Sequence, residues 1–195
     1  MPRLEIQQFL SQKLKKFGVS PRAVDWGSRE SQTKRFEVLL SLVDVNNKIV
    51  VDAGCGFGDL YLFMIKNGKN PLKYIGIEVH PEIAKIAAQN TNQDILVLDV
   101  LSDQEKLPAA DIYLASGSLN YLTYSETYTF IECCFKKSRE AFVFNILSTH
   151  ADYMEKGYNY FSPPELLAFC MRMTRKVTLK HDYMPHDFTI AMYKI

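Results

Sequence analysis

The sequence predicts an α/β fold. It is a seven-stranded, mostly parallel open sheet with an antiparallel last strand, helices on both faces, and a helical extension at the N-terminus. Three observations predict it. From Lys48 onward, short apolar runs that suit buried parallel strands alternate with segments of helical period. The first run ends in Gly54-Cys55-Gly56-Phe57-Gly58, a glycine turn leading into a helix. The last two runs are joined by only a few residues, Asp182 to Asp187, too few for a parallel crossover, so they form an antiparallel hairpin.

The elements follow in order. Ile6, Leu10, Leu14 and Phe17 recur at helical spacing from Leu4, and Gly18 stops that helix. Ser20-Pro21 opens a loop through Trp26-Gly27-Ser28, and a second helix starts between Ser28 and Ser31, where serine caps free amides. It runs through Phe36, Leu39, Leu40 and Val43. Strands are expected at 48–53, 74–78, 95–98, 111–115 and 141–145, and at 177–180 and 188–192. Helices are expected at 59–67, 81–89, 124–137 and 163–173, with Gly68 closing the first and Pro81 at a favoured early position of the second. Residues 1–45 are expected to form the extension and 46–195 the core of a single domain.

Composition narrows the function classes. A chain of 195 residues, 47% hydrophobic and 23% charged, has the size and make-up of one globular domain rather than a disordered segment. Its 23 basic and 22 acidic residues give a net charge of +1, with no overall field to attract nucleic acid or an anionic membrane. No apolar run spans a bilayer, and Met1-Pro2-Arg3-Leu4-Glu5 lacks a signal-peptide core. Cys55, Cys133, Cys134 and Cys170 form no CxxC pair, so no metal site is expected, and they read as reduced thiols of a cytoplasmic protein.

The glycine loop carries the strongest signal. A dinucleotide fingerprint is G-x-G-x-x-G, and Asp59 stands where its third glycine belongs. Asp52 precedes the first glycine, where a carboxylate would repel a pyrophosphate and suit an ammonium group. A Cβ at Gly56 is expected to enter the ligand's space. The alternative is a bare strand-to-helix turn with no ligand.

With these residues the chain resembles the class I S-adenosylmethionine-dependent methyltransferases, a Rossmann-like superfamily, over about residues 45 to 195. Asp52-Ala53-Gly54-Cys55-Gly56-Phe57-Gly58 is similar to its first motif. The segment Trp26-Gly27-Ser28-Arg29-Glu30-Ser31-Gln32 resembles a smaller bacterial group of unassigned substrate. The resemblance implies S-adenosylmethionine as cofactor. Glu78, at the tip of the second strand, would accept both ribose hydroxyl protons. Asp99 would accept the adenine amino proton, Val100 would offer its amide to the ring, and Val79 would pack on it. Each acid has a plainer reading as a loop or helix cap. Ser116 and Gly117 leave the fourth strand beside the glycine loop and should line the transfer centre. Arg29 is assigned to the carboxylate of the methionine end, because the glycine loop itself offers no full positive charge.

The expected activity is methyl transfer to a small-molecule acceptor, with neither membrane nor nucleic acid as partner. No catalytic base is assigned. The N/D-P-P-Y/F motif of nucleobase and glutamine methyltransferases is missing, with Ala115-Ser116-Gly117-Ser118 in its place. The acceptor is expected between residues 26–29 and a lid at 148–161, near Asn145, His150, Tyr153, Tyr158, Tyr160, Phe161, His181, Tyr183 and His186. Two other readings share the fold: a non-catalytic S-adenosylmethionine-binding module and a nicotinamide-dependent oxidoreductase.

Overall fold

The computed structural model describes residues 3–24 and 28–195, without the side chains of residues 3–5, 21 and 22. Trp26 and Gly27 therefore lie outside the described residues. The chain opens with α1 (Arg3–Phe17), a 3-10 turn (Pro21–Val24) and α2 (Arg29–Ser41). It continues as β1 (Ile49–Ala53), α3 (Asp59–Lys66), β2 (Lys73–Glu78), α4 (Pro81–Thr91) and β3 (Asp94–Val97). The second half is β4 (Ala110–Ser116), α5 (Tyr124–Lys137), β5 (Ser138–Leu147), α6 (Pro163–Met171), β6 (Val177–Lys180) and β7 (Asp187–Tyr193), with a short 3-10 turn before β4.

The strands form one sheet in the order β3-β2-β1-β4-β5-β7-β6. All neighbours are parallel except the pairs β5–β7 and β6–β7, so β7 alone is reversed. The order turns back between β1 and β4, and the crevice beyond their carboxyl ends is where such sheets bind ligands.

The strands are apolar on both faces because both faces are covered. Val50, Ile112, Leu114 and Val143 pack against Phe36 and Leu39 of α2 and Leu60 and Met64 of α3. Val51, Tyr113, Phe142, Phe144 and Phe188 pack against α5 and α6 through Phe130, Ile131, Leu166 and Cys170. A smaller cluster of Leu14, Ala23, Phe57 and Ile83 attaches α1 to the glycine loop and α4.

Local chemistry sets the helix ends. The Ser28 side chain accepts from the Ser31 amide and starts α2. Thr123 and Glu126 make a reciprocal capping box at α5. Strand β5 extends beyond the expected 141–145 at both ends, because β7 pairs with Ile146 and Leu147 and β4 pairs with Ser138 through Ala110.

Candidate functional site

One cavity lies at the carboxyl ends of β1, β2 and β4, and a second lies beside it, beyond the ends of β4 and β5. The first is lined by Asp52, Gly54, Cys55, Gly56, Glu78, Val79, Asp99, Val100, Ser116 and Gly117, ten of the residues singled out in the sequence. Gly58 and Arg29 are not in that lining.

Each position has a local cause. Asp52 is the fourth residue of β1, buried, and accepts a hydrogen bond from Tyr74 Oη at 2.8 Å. Burial, with Glu78 and Asp59 nearby and against the pull of that hydrogen bond, pushes its carboxyl up to about 7. Glu78 ends β2, and its two oxygens accept the amides of Gly56 (3.1 Å) and His80 (2.9 Å). Burial, opposed by those amides, pushes Glu78 up to about 7 as well. Glu78 thus ties the glycine loop to the end of β2, and each oxygen keeps a second lone pair for a ligand hydroxyl.

Asp99 caps its own turn: Oδ1 accepts the Leu101 amide at 2.9 Å. Ser116 Oγ and the Gly117 amide both donate to Asn145 Oδ1, at 3.1 and 3.2 Å. Ser118, in the same loop, donates to Ala53 O at 2.8 Å and fastens the β4 loop to β1.

The glycines serve different purposes. A Cβ on Gly54 would stand 2.3 Å from Ser118 Cβ, so this glycine lets two loops touch. A Cβ on Gly56 would meet Val24, which also lines the first cavity, at an ordinary contact distance of 3.5 Å. Gly58 caps α3 and its Cβ would strike Thr91, which makes it a packing position.

Arg29, at the first position of α2, is exposed. The guanidinium in the lining belongs to Arg35, further along the same helix. It forms a buried ion pair with Asp187 at the start of β7. Gln32, on that helix face, donates to Asp59 Oδ2 at 3.1 Å. Gln32 and Arg35 carry no local sequence signature, because α2 and β7 are brought to the glycine loop only by folding.

Helix α1 also enters the site. Ile6 and Leu10 line the first cavity, and Gln7 Nε2 donates to Val79 O at 3.2 Å. His80 Nδ1 accepts the Ile83 amide and caps α4, so its Nε2–H faces Ser11 Oγ at 2.7 Å. In this arrangement the cavity holds about 180 Å³, below the roughly 300 Å³ at which ligand pockets begin.

The second cavity holds about 490 Å³ and shares Arg35, Asn120 and Tyr158 with the first. Ser28, Asp152, Tyr153, Glu155, Tyr160 and His186 also line it, so part of the expected lid segment is there. Both ends of that segment are held: the Thr149 amide donates to Phe161 O, and the Asn159 amide to Asn120 O. Residues 152–157 between them are exposed. His150 and His181 pack edge to face instead, outside both linings.

No protein-family model and no curated protein sequence matches the chain. Solved structures do. Magnesium protoporphyrin IX methyltransferase from Synechocystis PCC 6803 covers 99% of this chain and 100% of its own, at 8% identity and a TM-score of 0.73. A SAM-dependent methyltransferase from Aquifex aeolicus covers 95% and 98%, at 18% identity and a TM-score of 0.67. The small RNA methyltransferase HEN1 matches 84% of this chain and 25% of its own, at 11% identity and a TM-score of 0.69. Likeness at such low identity speaks to architecture, and it agrees with the strand order and the position of the glycine loop: the chain has the fold of the class I S-adenosylmethionine-dependent methyltransferases.

Proposed function

We propose that this chain transfers a methyl group from S-adenosylmethionine to a small-molecule acceptor. The observation that carries the reading is the charge of the first cavity. Asp52, Asp59, Glu78 and Asp99 line it, against the single guanidinium of Arg35, itself paired with Asp187. A pyrophosphate would face these acids, and Asp59 already occupies the start of α3 where one would bind. A ligand with an ammonium, a sulfonium and a ribose diol suits the same groups.

The residues divide the ligand between them. Glu78 would accept the ribose hydroxyls, Val79 and Val100 would flank the base, and Asp99 would take its amino proton. Asp52 would face the ammonium group, and Arg35 is the guanidinium that the lining offers to the carboxylate. When bound, the cofactor supplies an electrophilic methyl carbon on its sulfonium. The chain's own contribution is alignment of the acceptor from the second cavity, which shares Arg35, Asn120 and Tyr158 with the first.

The similar solved structures include a magnesium protoporphyrin IX methyltransferase and a small RNA methyltransferase. The near-neutral net charge favours the small molecule. Thermal unfolding tests the cofactor. S-adenosylmethionine and its demethylated product should raise Tm, by the equivalent of roughly 2.7 kcal/mol at a hundredfold excess over Kd, while NAD and NADP leave it unchanged. A shift with NAD alone would replace this reading with an oxidoreductase. Cofactor binding without transfer of label to any acceptor in a metabolite extract would favour a binding module.

A further inference from the structure

The second cavity has an unusual set of groups. Asn120 is 9% exposed, lines both cavities, and its Oδ1 has no hydrogen-bond partner. A buried acceptor left unpaired costs about 1–3 kcal/mol unless something donates to it. The loop below holds Asn120 in place, since its carbonyl takes the Asn159 amide at 2.9 Å. The acidic groups of the lining are Asp152 and Glu155, and its one guanidinium, Arg35, already faces Asp187. The walls are aromatic: Tyr158 packs against Tyr121 with centroids 5.3 Å apart, and Tyr160 Oη accepts the Glu155 amide at 2.8 Å.

We propose that this cavity takes a small aromatic molecule that is neutral or cationic, and that Asn120 Oδ1 accepts a hydrogen bond from its nucleophilic N–H or O–H. The proposal rests on the reading of the first cavity as the cofactor site. The unpaired oxygen requires a donor on the ligand. The tyrosines give flat apolar contact with polar tips. Asp152 and Glu155 would repel a carboxylate or phosphate and attract an ammonium group, and neither the paired Arg35 nor His186, the other basic side chain of the lining, outweighs the two acids. The volume of about 490 Å³ lies within the range of pockets for small organic molecules.

The test uses two probes that share a phenol and differ in charge, tyramine and 4-hydroxyphenylacetate. Each is titrated into the full chain saturated with S-adenosylhomocysteine. Affinity for S-adenosylhomocysteine is measured first, and failure at that step overturns the cofactor reading rather than this one. Tyramine should bind about tenfold tighter than 4-hydroxyphenylacetate, and the preference should vanish in the Asp152→Asn/Glu155→Gln variant. Asn120→Ala should weaken tyramine about fivefold to tenfold, the worth of one hydrogen bond. Asn120→Asp, which keeps an acceptor oxygen, should bind tyramine at least as well as the wild-type chain. An unchanged circular dichroism spectrum certifies the fold of each variant. Equal binding of the two probes, tighter binding of the anion, or no binding of either at millimolar concentration overturns the proposal.

Discussion

Gly58 offers a test of the glycine loop that separates packing from ligand contact. It caps α3 with φ +83°, a conformation that costs a residue with a Cβ about 1–2 kcal/mol. A Cβ there would stand 2.3 Å from Thr91 Cγ2, far inside contact distance. Thr91 cannot simply rotate away, because its hydroxyl donates to Ala87 O at 2.7 Å and accepts the Gln93 amide. Overpacking of this kind adds about 1–3 kcal/mol. Gly58→Ala should therefore lose about 2–5 kcal/mol in urea unfolding. At Gly56 the new Cβ meets Val24 at an ordinary 3.5 Å, so Gly56→Ala should lose only the conformational share of about 1–2 kcal/mol. Thr91→Ser removes the clashing methyl and keeps the hydroxyl. In the Gly58→Ala background it should restore the overpacking share, read as a coupling in a double-mutant cycle. Affinity of Gly58→Ala for S-adenosylhomocysteine, measured below its melting range, should stay close to wild type because Gly58 does not line the cavity. Strict additivity of Gly58→Ala and Thr91→Ser, or a loss at Gly56 equal to that at Gly58, would refute the reasoning.

Three further predictions follow from the site. Asp52 and Glu78 are raised from 3.8 and 4.5 to about 7 by burial, so the folded apo protein holds protons that the unfolded chain has shed. Their contribution to stability is thus full below about pH 4 and lost as pH rises through about 7. Tm of the apo protein should fall over that window, less steeply in Asp52→Asn, and cationic S-adenosylmethionine should raise Tm more at pH 8 than at pH 5; parallel melting curves for wild type and Asp52→Asn would contradict this. Arg35→Met should cost about 3–5 kcal/mol by leaving Asp187 charged and buried, and Arg35→Met/Asp187→Leu should cost less than the two single changes summed, as read by denaturant midpoints. Because α1 narrows the first cavity, Gln7→Ala/Ser11→Ala, which removes its bonds to Val79 and His80, should speed S-adenosylhomocysteine association in stopped flow; an unchanged rate constant would mean that α1 does not gate entry.

The sequence by itself determined the strand–helix alternation, the reversed last strand and ten of the residues that line the first cavity. Those features are local. Glycines, Asp52 and Glu78 sit at the ends of apolar runs, and in an open parallel sheet such ends all meet at one edge. Even Asp99, in a loop, is placed by the strand before it. Tertiary structure decided what lies across that edge. Arg35 and Asp187 are 152 positions apart and meet because β7 inserts between β5 and β6. Ile6, Leu10 and Gln7 reach the cavity because α1 packs on α4 and the glycine loop, which amphipathic spacing alone does not specify. Asn120 read as one polar residue among several in a turn. Only the packed loops show that its side chain is buried, unpaired and shared by two cavities, because the loss of water from a polar atom is a property of everything folded around it.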